Sequence, residues 1–263
     1  MLKKLLKYDL KDIYKVLVIF YCLSLFFSIL TRMFLSIENS FIMNIIGKVC
    51  SGTAIAMIFN ILINNLMRLW HRFKSNFYGD ESYLTHTLPI NKKTLYLSKS
   101  LTSLITLFTS VIVIALTLFI AYYSKENIEV IKNLLLPLAT VYESTIITII
   151  LSFIFVFFLE IMNMLQSGYV GIVLGHKKNN NKMAYSVLFG FGTYLLTQIF
   201  TILVVFIVAL FNKDLMNLFY TMDSLSVSTI KLCIYMAIII YIINIFVLYF
   251  INLKLFSKGV NVD

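Results

Sequence analysis

Side chains capable of chemistry are few in this sequence and widely scattered. His71, His86 and His176 are far apart, and no H-E-x-x-H, C-x-x-C or paired-histidine cluster offers metal-ligand spacing. Cys22, Cys50 and Cys233 fall in or beside apolar runs, where a thiol serves as a small packing group. Gly47-Lys48 is followed by valine, so the G-x-x-x-x-G-K-[ST] phosphate loop is missing and ATP cannot be held that way. No G-x-S-x-G elbow or nucleophile–base pair is present. The expectation is a protein that is not an enzyme and carries no cofactor or metal of its own.

What remains is a polar stretch at 68–99 and two charges set in apolar runs. Within the stretch, Asp80 and Glu81 follow Tyr78-Gly79, where acids favour the start of a helix. Tyr83, Leu84, Thr87 and Leu88 can share one helical face, Pro89 stops that helix and Asn91 begins a turn. An exposed Tyr/Leu patch calls for a partner. The alternative, a helix resting on lipid headgroups, accounts for the basic ends of the stretch but not for the acidic pair. Arg32 and Glu143 carry the functional presumption attached to intramembrane charges. At 1.5 Å per residue they lie about 8 and about 9 Å below the outer ends of their runs, which predicts an ion pair. Separate snorkelling, or Lys48 serving Glu143, would be the other arrangements. Asn60, Asn64, Asn65 and Gln166 read as hydrogen-bonding links between helices.

These residues are spaced by long apolar runs. The 263 residues are 60% hydrophobic and 13% charged, with a mean hydropathy of +0.91; a soluble domain has about 45–50% and about 25%. The pattern predicts an all-α polytopic membrane protein. Spans are expected at 16–37, 49–67, 101–123, 137–160, 184–211 and 230–253, since about 20 residues cross the hydrocarbon. Residues 1–15 place five lysines against Leu2, Leu5, Leu6, Leu10 and Ile13, the pattern of an amphipathic helix on an anionic leaflet. Residues 41–46 resemble an interfacial approach and 124–133 a polar loop. Residues 161–175 would either continue the fourth span or bend into an interfacial helix, and Gly168, Gly171 and Gly175 would allow close packing. The whole chain, 1–263, reads as one transmembrane domain.

Of the 22 Lys/Arg residues, 16 fall in 1–15, 68–99, 177–182 and the C-terminal tail, which lie on one side if there are six spans. That bias puts both termini and the 68–99 stretch in the cytoplasm of a multi-pass cell-membrane protein. The net charge of +10 sits at the ends of apolar runs rather than on a soluble face, which argues against nucleic acid as a partner.

The stretch YGDESYLTHTLPINKKTLYLSKSL resembles a segment in permease subunits of type-2, exporter-like ATP-binding cassette (ABC) transporters. The likeness lies in Phe77-Tyr78-Gly79-Asp80-Glu81, Tyr83-Leu84-Thr85, Thr87-Leu88-Pro89-Ile90 and Ser98-Lys99. A looser match is GYVGIVLGHKKNNNKM, where His176 stands in place of a glutamine. The resemblance implies a six-span subunit that pairs with a second permease, identical or related. It also implies a separate cytosolic ATPase that binds the ATP, and export of a peptide-like or membrane-active compound. It assigns coupling to the ATPase to Tyr78, Asp80, Glu81, Tyr83, Leu84, Thr87, Leu88 and Pro89. The competing expectations are an ion-coupled secondary transporter using Arg32 and Glu143, or a regulatory or assembly protein without transport. No convincing inverted repeat favours the former.

Overall fold

The computed structural model describes residues 1–37, 40–142, 144–213, 215–216 and 227–257. These residues form helices and no strand. In chain order they are α1 (Leu2–Leu35), α2 (Phe41–Tyr78), α3 (Ser82–Thr87), α4 (Lys92–Tyr122), α5 (Lys125–Val141), α6 (Ile146–Gly175), α7 (Lys182–Ala209) and α8 (Val227–Ser257). Among them α1, α2, α4, α6, α7 and α8 are long and apolar enough to cross a membrane. The all-α, six-span expectation therefore holds, and by length and composition the chain is a multi-pass membrane protein. It divides into two compact units, Met1–Ile128 and Glu129–Asp263.

In the first unit α1 packs against α2 and α4. Its buried stripe is Asp9, Ile13, Leu17, Ser24, Ser28 and Thr31, a helical spacing that starts inside the lysine-rich stretch. Residues 1–15 thus run without a break into the first span, and Asp9 and Ile13 face protein while the lysines stay exposed. The small side chains Ser24 and Ser28 let α1 approach closely. Hydroxyls then tie the helices together: Tyr14 to Thr109 at 2.8 Å and Tyr21 to Ser110 at 2.7 Å. Asn65 of α2 donates to the same Ser110 at 2.8 Å, which makes it one of the interhelical links expected. Asn60 and Asn64 instead donate to their own helix, to the carbonyls of Ala56 and Asn60.

Residues 41–46 are not a separate approach but the first turns of α2, whose N-cap Ser40 accepts from the Met43 amide. With 38 residues, α2 is about 57 Å long at 1.5 Å per residue, against a hydrocarbon layer of about 30 Å. Its last turns must stand clear of the lipid.

In the second unit α6 packs against α7 and α8. The fourth span differs from expectation. Pro137 lies inside the separate helix α5, and Thr145 caps a new helix by accepting from the Thr148 amide, so the spanning element is Ile146–Gly175 rather than 137–160. The apolar run through 161–175 simply continues it. The α6–α7 seam is backbone on backbone. A Cβ on Gly171 would lie 2.4 Å from the Gly190 nitrogen and the Ser186 carbonyl oxygen, and one on Gly175 would lie 2.1 Å from the Ser186 hydroxyl. Gln166 is a second interhelical link: Asn252 of α8 donates to its side-chain oxygen at 3.2 Å.

Candidate functional site

The polar stretch folds as the end of α2, a turn at Gly79, the short α3 and the start of α4. Gly79 caps α2 with an extended backbone, its amide reaching the Lys74 carbonyl. Helix α3 closes at Thr87 because Leu88, preceding proline, adopts an extended conformation. Asn91 then caps α4 by accepting from the Lys93 amide at 3.1 Å. His86 ties α3 back to α2, its Nε2 lying 3.2 Å from the Phe77 carbonyl oxygen.

This arrangement sorts the eight expected coupling residues. Tyr83 (64% exposed), Leu84 (73%) and Leu88 (45%) are open, as are Asp80, Thr87 and Pro89. Tyr78 is buried. Glu81 occupies the N-cap position of α3 but makes no capping bond; its carboxylate turns toward α2. Its position near a helix start is thus secondary to a stronger attraction, a guanidinium.

That attraction belongs to a charge cluster joining three long helices. Both Asp9 carboxylate oxygens on α1 accept from the Lys99 ammonium on α4, at 2.7 and 2.8 Å. Arg72 on α2 donates from Nε to Asp9 at 3.2 Å and from Nη1 to both Glu81 oxygens at 3.3 Å. The same Nη1 lies 3.6 Å from Asp12. Asn76 completes the network, donating to Glu81 and accepting from Lys99. The Asp9 and Lys99 side chains are only 5% and 10% exposed, so the pair is held away from water, where breaking it leaves an uncompensated buried charge. Above the cluster is a cavity of about 160 Å³ whose rim includes Leu5, Tyr8, Thr85 and Leu88.

Asp9, Arg72 and Asn76 were not singled out by their sequence, and Lys99 entered only through the Ser98-Lys99 part of the resemblance, not as an ion-pair partner. The available signal was weak: Asp9 falls on the apolar spacing of α1, and Lys99 sits four residues after Leu95 on the buried side of α4.

The two intramembrane charges fare differently. Arg32 is exposed, with its guanidinium 5.4 Å from the centre of the Tyr123 ring, and Glu143 lies outside the described residues. A third charge, an acid, takes the place in the bilayer that they were expected to hold. Glu160, expected at a span's end, falls at the middle of α6. There the Tyr194 hydroxyl donates to it at 2.5 Å and the Gln198 amide at 2.9 Å, with Tyr241 of α8 against the same carboxylate. No basic side chain among the described residues pairs with it.

The histidines are not all surface groups: His176 is buried, its Nδ1 2.8 Å from the Ile172 carbonyl oxygen at the end of α6. Among the described residues no three His, Cys, Asp or Glu side chains are grouped as metal ligands. No family model matches the chain, and no curated protein or solved structure matches it either.

Proposed function

We propose that the chain is the membrane subunit of an ABC-type exporter, receiving the motion of a separate cytosolic ATPase through α3. The supporting observation is the short helix Ser82–Thr87, which presents Tyr83 and Leu84 outward while Glu81, at its base, grips Arg72. An apolar face of this kind outside the spans fits a protein partner. The charge cluster behind it would carry displacement of α3 into α1, α2 and α4 together. The Lys/Arg bias supports a cytoplasmic side for α3 and both termini, and the resemblance at 77–99 suggests the partner's class. On this reading a second permease chain completes the pathway, and the cargo is peptide-like or membrane-active.

The test is to purify the chain alone and together with its candidate ATPase. ATP hydrolysis should be absent from the chain alone and should appear, altered by cargo, in the complex. Robust hydrolysis by the isolated chain would overturn the proposal.

A second reading is favoured by Glu160, a carboxylate with no basic partner among the described residues, in the middle of three apolar helices. Intramembrane acids of this kind mark ion pathways, so an ion-coupled secondary transporter is the alternative. Cargo flux in vesicles that follows an imposed ion gradient without nucleotide would favour it.

A further inference from the structure

Helix α5 has no place in either reading. Every residue from Lys125 to Leu134 is exposed, including Val130 (56%) and Leu134 (69%). At 17 residues, with four charges in its first eight, it is short and polar for a span, and it is not among the helices long and apolar enough to cross a membrane. Its sequence is nevertheless ordered around the helix axis. At about 100° per residue, Ile128, Val130, Ile131, Leu134, Leu135 and Leu138 fall on one half of the cylinder. Lys125, Glu126, Glu129, Lys132 and Asn133 fall on the other. Leu136 is the exception on the polar half. Asn127, within the apolar half, turns its amide to cap the preceding helix at the Tyr122 carbonyl, at 2.9 Å. Pro137 cannot donate to the Asn133 carbonyl, and that carbonyl lies on the polar half, where water can satisfy it.

The chain's connectivity determines what covers the apolar half. Helix α5 begins three residues after the end of one spanning helix, α4, and ends five residues before the start of the next, α6. Both neighbours end at the same membrane face, so α5 must lie there. Aromatic residues that favour the membrane–water boundary bracket it: Tyr122 and Tyr123 before, Tyr142 after. Tyr123 lies beneath the Arg32 guanidinium and Tyr142 beneath the Lys231 ammonium, at 5.4 and 5.2 Å, so each ring is paired with a cation suited to the headgroup layer.

We propose that α5 is an interfacial helix, lying lengthwise at the headgroup–acyl boundary of the leaflet where α4 ends and α6 begins. Its apolar half faces the acyl chains and its polar half faces water. Its two lysines and two glutamates cancel in charge, so attachment rests on apolar area and does not require anionic lipid.

The experiment uses the full chain in phosphatidylcholine vesicles. Trp70 is the single tryptophan, so Trp70→Phe gives a silent background for Ile131→Trp and Glu129→Trp. If the background variant folds poorly, Trp70 is kept and wild-type emission subtracted. Emission from position 131 should be quenched by lipids brominated near the top of the acyl chain. Emission from position 129 should be quenched several-fold more strongly by aqueous iodide than that from 131. Neither result should change in 1 M salt. Equal iodide quenching at both positions would place α5 in water and overturn the proposal. Protection of position 131 from both quenchers would show that protein covers it, a second copy included, and would overturn it equally.

Discussion

The Lys99 ammonium sits 2.7 and 2.8 Å from the two oxygens of Asp9, a residue ninety positions earlier on a different helix. Removing one member of a buried pair costs about 3–5 kcal/mol, because the survivor keeps its charge without a partner. Asp9→Asn and Lys99→Met should each lower the unfolding midpoint of the detergent-solubilised protein. The double variant should be more stable than either single one. A double variant that loses the sum of the two would show that the residues act independently.

The outward face of α3 should be separable from the core beneath it. Leu84→Asp and Leu88→Asp should leave insertion and the unfolding midpoint unchanged while reducing co-purification with the proposed ATPase partner. Leu95, nearer the membrane entry, should matter less for the partner. It is only 4% exposed, so Leu95→Ala should instead cost about 2–5 kcal/mol in stability. Normal co-purification and cargo export with both aspartates in place would favour a lipid-bound α3.

At the α6–α7 seam a single methyl group has nowhere to go. Gly171→Ala would set carbon 2.4 Å from backbone atoms of α7, which cannot move as a side chain tip could. The expected loss is about 1–3 kcal/mol, the usual range for overpacking, read as a lower unfolding midpoint. Gly52→Ala, where nothing lies within 4 Å, serves as the control and should be neutral or slightly stabilising.

The Glu160 network predicts an order among substitutions. Glu160→Gln retains an oxygen acceptor for Tyr194 and Gln198 and should fold nearly as well as wild type. Glu160→Leu leaves both donors unpaired, at up to about 1–3 kcal/mol for each donor held away from water. Unfolding midpoints should rank wild type and Gln above Leu. If the Leu variant proved the most stable, the carboxylate would be held there for function against stability, and ion-driven flux would be the next measurement.

The helices that cross the membrane were legible because hydropathy needs no knowledge of neighbours; runs such as 101–123 announce themselves. Helix α5 was hidden for a local reason. Lys125, Glu126, Glu129 and Lys132 crowd its first two turns and resemble a loop, while Pro137 resembles a helix start. Both impressions pushed the fourth span too early and left Glu160 at its edge. The outward-facing residues of the candidate site, Tyr83 and Leu84, followed from short-range spacing and one proline. Its inner members did not, because Asp9 and Lys99 meet only through the packing of α1 on α4. A sequence read in windows of a few turns cannot register a contact across 90 positions.

Helix α2 runs from Phe41 to Tyr78 as one unbroken helix with no proline in its length, and its one adjacent Gly/Ser pair, Ser51-Gly52, lies toward the Phe41 end. Treated as a single rod, it carries Arg72 and Asn76 near one end and Gly47, pressed against Leu35 of α1, near the other. A tilt of about 5° applied at the α3 end of a rod about 57 Å long moves its opposite end by about 5 Å, comparable to the rise of one helical turn. On the proposed function, small angular work at the polar end would become a side-to-side stroke at the far membrane face, without any helix having to unfold.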